Sequence, residues 1–395
     1  MKIAIPQSRF LRQLSLVNHK NTFSWRDHPE KDAYILGDDY HPRSMTPVFE
    51  LLGSKNFPLI PAEVQVAFSS LGVGKENLPI DGVQSDISMI ACVEAAFKHA
   101  HESLSELQMT GYLDTFMECN RTLRRLQRAR IDINSLKRGI ESKEIKNVSV
   151  AKGFFPQKDG FLSLSEYSTT RTLTGRTTIV RGPQILTAPK LIRKYLTSSY
   201  QGGKIAQVDF VSLEPRVAMQ LTADTLGPDV YEYLAEKLFV QKVSRAVVKK
   251  LVLCAVYGAS ESTLKKGLPD GINIQQLVEK TKEILNYELV VNEQSNNFQK
   301  NGTIQNFFGR IVEPQHARDS LLYNNYIQST AVDVALLGFG KILDRASTRV
   351  RPIFFIHDAM LVDLHPDDIE EFKKVSSSIV IDGLGEFLLD FQLLG

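Results

Sequence analysis

IFFIHDAMLVDL, residues 353–364, is two apolar runs that meet at His357-Asp358. Short apolar runs rich in branched and aromatic residues favour strands. The polar pair between them makes a hairpin with an acid at its tip. A second acid is placed in the same way upstream. KIAQVDF, 204–210, is an apolar strand with Asp209 at its end, and VSLEPR follows it. Each carboxylate would then emerge at a sheet edge. Either aspartate taken singly reads as a turn residue at a strand end. The pair reads as a site for hard cations, because Mg²⁺ prefers oxygen ligands and takes one or two carboxylates together with substrate phosphates.

Between the two lies SRAVVKKLVLCAVYG, 244–258, which reads as a helix with a basic face. Arg245, Lys249, Leu253 and Tyr257 are spaced by four. At about 3.6 residues per turn each step drifts only about 40°, so the four follow one slowly winding stripe. Two cations thus lead toward an aromatic ring. A triphosphate could lie along the cations and place its sugar and base further down. The spacing alone equally suits a surface helix whose cations extend over apolar neighbours.

The charge distribution adds a polyanion to this picture. The net charge is only +2, yet residues 167–208 contain no Asp or Glu while carrying Arg171, Arg176, Arg181, Lys190, Arg193, Lys194 and Lys204. A second basic cluster, RTLRRLQRAR at 121–130, precedes it. Clustered cations of this kind are the electrostatic footprint of a nucleic-acid partner. The composition, 43% hydrophobic and 23% charged, is that of a soluble globular chain. No apolar run of about 18 residues predicts a membrane span. Three widely spaced cysteines, Cys92, Cys119 and Cys254, predict neither a disulfide framework nor a zinc site, and fit a reducing cytoplasm.

Residues 1–85 show short apolar runs punctuated by Pro, Gly and Asn, with no motif; Asp38-Asp39 reads as a turn. No Asp-x-Glu strand with partner aspartates, as a proofreading exonuclease needs, is found. Residues 86–140 predict a helix pair, the second member spanning YLDTFMECNRTLRRLQRARI with Arg121, Arg124, Arg125 and Arg128 on about one and a half faces. FLSLSEYSTTRT, TTIV and KIAQVDF predict strands within 150–210. Residues 228–300 predict helices, NFFGRIVEP at 306–314 a strand or hairpin arm, and 320–346 a long helix.

The order of VDFVSLEPR, the basic helix and IHDAMLVDL resembles the three sequence motifs of family A DNA polymerases, the bacterial DNA polymerase I type. The resemblance covers roughly 110–395 and is densest from 166 to 365. It implies an α+β, multi-subdomain right hand with an antiparallel palm sheet, helical fingers and a helical thumb. The implied segments are 1–85 of unknown role, thumb 86–165, palm 166–224 and 301–395, and fingers 225–300. Asp209 and Asp358 become metal ligands for two Mg²⁺ ions, with the Phe210 carbonyl as a third ligand. Arg245, Lys249, Leu253, Tyr257 and Tyr231 face the nucleotide, and Glu214 excludes a ribose 2′-hydroxyl.

Arg176, in TLTGRTTIV, and Asn324 and Gln328, in YNNYIQSTAVD, would contact primer-template DNA, as would His357 and Arg193. Arg121, Arg124, Arg125 and Arg128 would grip duplex phosphates. The chain departs from the family where Leu253 replaces an aromatic, Tyr231 a phosphate-binding His, Ala359 a Glu, and Ser329 a Gly. The function implied is template-directed DNA synthesis from dNTPs without proofreading, in a bacterial host cytoplasm if the gene is a phage's. Residues 1–85 would be the place for a helicase-primase, clamp or separate exonuclease to dock. Two rivals stay open: a polymerase that also uses ribonucleotides, and a catalytically inactive polymerase-like DNA-binding subunit.

Overall fold

The computed structural model describes residues 1–6, 15–20, 22–26, 32–36, 43–51, 62–71, 86–145, 147–220, 229–257 and 273–394. The turn expected at Asp38-Asp39 and the glycine at 258 lie outside them. The chain divides into two compact units, Met1–Asn120 and Arg121–Gly395; the boundary between them falls inside the segment 86–165 expected from the sequence.

The first unit holds a four-stranded sheet that the sequence reading did not anticipate. Its strands are β1 (Lys2–Pro6), β2 (Ser15–His19), β3 (Thr22–Arg26) and β4 (Tyr34–Ile35), in the order β3-β2-β1-β4. All pairs are antiparallel except β1 with β4. Ala4, Val17, Ala33 and Ile35 form a small core on it. Helix α1 (Asp86–Met109) buries Val93, Ala96, Phe97, Ala100, Leu104 and Leu107, the three-and-four spacing of one helix face. Its Phe97 ring meets Phe23 edge-on at 5.3 Å, and His101 Nε2 lies 3.2 Å from Asn18 Oδ1. Gly111, with φ +72, turns the chain into α2 (Leu113–Arg124).

That helix was expected to run to residue 131 and stops at Arg124. The sequence that follows has good helix formers, but tertiary pairing takes its backbone groups instead. Gln127 N–H donates to Pro352 O at 2.8 Å, and Arg130–Ile131 pair with Leu196–Thr197. The strand expected over 161–172 is likewise reduced to Glu166–Ser168, paired with Thr178–Arg181. Hydroxyls around it bond locally, as when Thr172 Oγ1 donates to Arg176 O, and such bonds compete with sheet ladders.

The second unit is built on a five-stranded antiparallel sheet. Its strands are β5 (Lys204–Phe210), β6 (Arg351–Ile356), β7 (Ala359–Leu364), β8 (Ser378–Ile381) and β9 (Gly385–Leu394), in the order β6-β7-β5-β9-β8. The hairpin read from residues 353–364 is β6–β7, turning at His357-Asp358. It lies against β5 with Ala359 opposite Asp209, and β9 covers the other side of β5 with Asp390 opposite Asp209. Helix α3 (Leu213–Gln220) follows β5. Helices α4 (Val230–Leu238), α5 (Arg245–Tyr257), α6 (Ile274–Ile284) and α7 (Tyr287–Asn301) come next. The long helix α8 (Asp319–Arg345) matches its expected span within a residue.

Helix α8 crosses the sheet closely. A Cβ at Gly338 would stand 2.5 Å from Ile379 Cδ1 and 2.8 Å from the Phe210 ring, so a larger residue would have to displace both side chains. Beside it, Phe339 meets Phe210 at 5.3 Å and stacks on Phe355 at 5.5 Å, while Phe387 lies 6.2 Å from Phe210. This aromatic cluster fixes the strand ends that carry Asp209 and Asp358. No helix among the described residues is long and apolar enough to cross a membrane.

Candidate active site

Asp209 and Asp358 reach one site because β5 and β7 are register neighbours. The Phe210 N–H donates to the Asp358 carbonyl at 3.0 Å, which locks the end of β5 to the hairpin turn. Two residues beside the carboxylates hold left-handed backbone although neither is glycine: His357 at φ +57 and Ser212 at φ +56. Such conformations cost free energy and persist where the surrounding structure enforces them, often at functional sites.

The Asp209 carboxyl is pushed up to about 6. Burial is the main cause and the Asp358 charge the second; Asp390 adds to the effect, while Gln207 and Arg193 oppose it. Gln207 Nε2 donates to Asp209 Oδ2 across 3.4 Å, and Arg193 Nη1 donates to Gln207 Oε1 at 3.1 Å. Burial also lowers the proton affinity of Arg193. Arg193 therefore stands behind the acid pair.

These aspartates open into a cavity of about 450 Å³. Arg245, Lys249 and Leu253 line one wall from α5, the stripe expected from their spacing. Their helix is anchored on its other side by Leu251 and Cys254 packing against Leu277. The side chain of Tyr257, the last residue of the stripe, is outside the described residues.

Arg245 is already engaged within the protein. Its Nε donates to Asp229 Oδ2 at 2.8 Å, its Nη2 reaches Ser212 Oγ at 3.4 Å, and its guanidinium lies 4.7 Å over the Tyr231 ring. Burial alone would raise the Asp229 carboxyl, but Arg245 and the Tyr231 N–H bring it below the usual range. Asp229 caps α4 by accepting from that N–H at 2.8 Å. Tyr231 is buried, which raises its phenol.

The remaining expected residues fall at different distances from the cavity. Glu214 and Arg176 line it together, 3.6 Å apart, and Gln328 joins them from α8. His357 sits on the rim; desolvation holds its imidazole below the usual range, and Arg176 adds to this. Asn324 is one turn before Gln328 and outside the lining.

Of the four arginines expected to grip duplex phosphates, Arg121 and Arg124 are on α2 and Arg125 and Arg128 lie beyond it. Arg124 ends α2, and the chain beyond it is not helical. Arg121 and Arg125 both pair with Asp344, at 3.3 and 2.5 Å. Arg128 pairs with Asp159 at 2.6 Å and donates to Leu162 O at 2.8 Å.

Sequence reasoning missed Gln207, Ser212, Asp229 and Asp390. The helix-start pattern Pro-Asp-Val-Tyr could have marked Asp229 as a cap. Asp390 carries no local signal, because its place depends on how β9 registers against β5. Among the described residues no three His, Cys, Asp or Glu side chains gather to hold a metal ion. A cation at Asp209 and Asp358 would therefore draw further ligands from backbone, substrate or water.

No protein-family model matches the chain, and no curated protein matches its sequence. Among solved structures, the fold is similar to the polymerase domain of Pol1 from M. smegmatis in complex with DNA primer-template and dNTP, with a TM-score of 0.64. Identity is 12%, a level that carries fold and not activity, and the likeness covers 99% of this chain and 94% of that one. The likeness therefore takes in the N-terminal residues where the sequence showed no motif, and the fold is similar to that domain's over nearly the whole chain.

Proposed function

We propose that the protein is a template-directed DNA polymerase that adds deoxynucleotides to a primer 3′ end by phosphoryl transfer. The observation that carries this is one cavity lined jointly by two strand-end aspartates, two helix cations and Glu214. In this reading the five-stranded sheet is the palm, α4 to α7 are the fingers, and residues 86–165 are the thumb.

The donor set suits a hard divalent cation. Two carboxylates share a strand-end site, one of them partly desolvated and repelled by the other, and a cation relieves both penalties. Asp209, Asp358 and the Phe210 carbonyl would hold Mg²⁺. A bound metal would supply Lewis-acid chemistry there, lowering the primer hydroxyl's proton affinity and offsetting charge on the triphosphate and the leaving pyrophosphate. The protein's own share is positioning and charge. Arg245 and Lys249 receive the phosphates, with Arg245 aimed beforehand by Asp229 and the Tyr231 ring. Leu253 offers the base an apolar contact. Glu214 stands where a ribose 2′-hydroxyl would meet a carboxylate. Arg176 and Gln328 can donate to the minor-groove acceptors that all base pairs share, which tests pair shape without reading sequence.

The test is extension of a labelled primer on a DNA template with Mg²⁺, comparing dNTPs with rNTPs, wild type beside Asp209→Ala. Extension with dNTPs that the variant loses supports the reading. Equal use of rNTPs would remove Glu214 as the gate. DNA binding without any wild-type extension would leave the inactive binding subunit.

A further inference from the structure

Outside the cavity lining lies a second charged pair that the mechanism above does not use. Arg310 is 2% exposed and Asp333 is fully buried. Arg310 Nη2 donates to Asp333 Oδ1 at 2.8 Å and Nε to Oδ2 at 3.3 Å, a two-point fork. Asn306 Nδ2 donates to the same Oδ2 at 2.7 Å, and Arg310 Nη1 donates to Thr169 O at 3.2 Å. One guanidinium thus ties together α8, the 306–310 turn and the start of the loop that leads to Arg176.

A buried ion pair is weak evidence for stability, because apolar replacements of similar volume often serve as well. Its geometry is the better clue. The Arg310 guanidinium lies against Gly175, where a Cβ would stand 2.3 Å from Nη1 and overlap it, and Gly175 has φ +76. On the other side, Thr174 Oγ1 donates to Gln328 Oε1 at 2.6 Å. Residues 174 and 175 are therefore clamped from two directions. The next residue is Arg176, which reaches into the cavity beside Glu214.

We propose that Arg310 and Asp333 are positioning residues that hold the Gly175 backbone, and through it set Arg176 and Gln328 against the primer-terminal base pair. This rests on the polymerase reading above. Gly175 is then the weak point of the device: any side chain there must displace Arg310, and Arg176 shifts with it.

The experiment measures single-nucleotide incorporation by wild type, Gly175→Ala and Arg310→Lys, with thermal melting in parallel. Each protein is given a normal primer and one whose terminal purine is a 3-deazapurine, which lacks the minor-groove acceptor. A misplacement of about 1 Å can cost about 100-fold, so kcat of Gly175→Ala should fall by about that factor with KM for dNTP little changed. Wild type should lose about tenfold on the 3-deaza primer, one lost groove contact, and the variants should lose nothing more. A 3-deaza penalty in the variants equal to that of wild type overturns the positioning role while leaving the polymerase reading intact. No extension by wild type removes both. Arg310→Lys keeps the buried charge but loses the fork, and carries the test if Gly175→Ala does not fold.

Discussion

The strand pair β5 and β7 carries a carboxylate at each end, and the two ends treat theirs in opposite ways. At one end Asp363 is buried, and Ser198 Oγ donates to it at 2.5 Å. Its other oxygen accepts from Ser199 N–H at 2.9 Å and Ser199 Oγ at 2.6 Å. At the other end Asp209 has one long bond from Gln207 and two acidic neighbours that raise its proton affinity. Both sit on the same sheet with the same apolar flanks. A carboxylate whose lone pairs are filled from within holds a turn. One left under-satisfied beside another acid is poised for a ligand from outside.

Three measurements would break or sharpen that contrast. The largest effect belongs to the open end. Asp358→Ala should cut incorporation by about 10³-fold or more, since metal-borne charge stabilisation is worth several kcal/mol, with primer-template binding nearly intact in a filter assay. Loss of binding instead would make the carboxylate structural and erase the difference between the ends.

Next comes the closed end. Asp363→Ala strands two hydroxyls and a backbone N–H, at a cost of about 2–3 kcal/mol. A urea titration should show this while activity per folded molecule holds. Lost activity at unchanged stability would reverse the two roles.

The smallest effect has the opposite sign. With its carboxyl near 6 when folded, against 3.8 for the ordinary group, native Asp209 binds more protons than the unfolded chain between those values. Stability from this group therefore falls as pH rises from about 4 to about 6, and stays reduced above. Asp209→Asn should accordingly be the more stable protein at pH 8, on the order of 1–2 kcal/mol once solvent screening is allowed for. The gap should close below pH 4. Added Mg²⁺ should narrow it at pH 8 by stabilising wild type alone. A destabilised Asn variant would show that the carboxylate is satisfied from within after all.

How much of this was legible follows the range of the interaction. The hairpin at 353–364, helix α8 and the α5 stripe as far as Leu253 are patterns within one stretch, and the structure has them where the residues put them. The cavity grouping of Asp209, Glu214, Arg245 and Asp358 was reached through motif order, which carries tertiary information that periodicity lacks. What failed was long range. Nothing in GEFLLDFQLL says that it lies beside β5, and nothing in the short strands of residues 2–35 says that they form a sheet. RTLRRLQRAR has the composition of a helix, yet the helix stops at Arg124, because Gln127 and Arg130–Ile131 pair with backbone distant in sequence.

The position of β5 also has a consequence for how the molecule is made. It is the middle strand, and both of its neighbours, β7 and β9, come from beyond residue 358. Neither edge of β5 can be covered until the chain has looped out from residue 210 to residue 359, and the entropy of that closure is lost before any ladder bond repays it. During synthesis β5 must wait, apolar and unpaired, for β7 and β9. Such a strand is where a nascent chain is most exposed to misassociation, so a chaperone that shields residues 204–210 should raise the yield of active protein more than one acting on any helix.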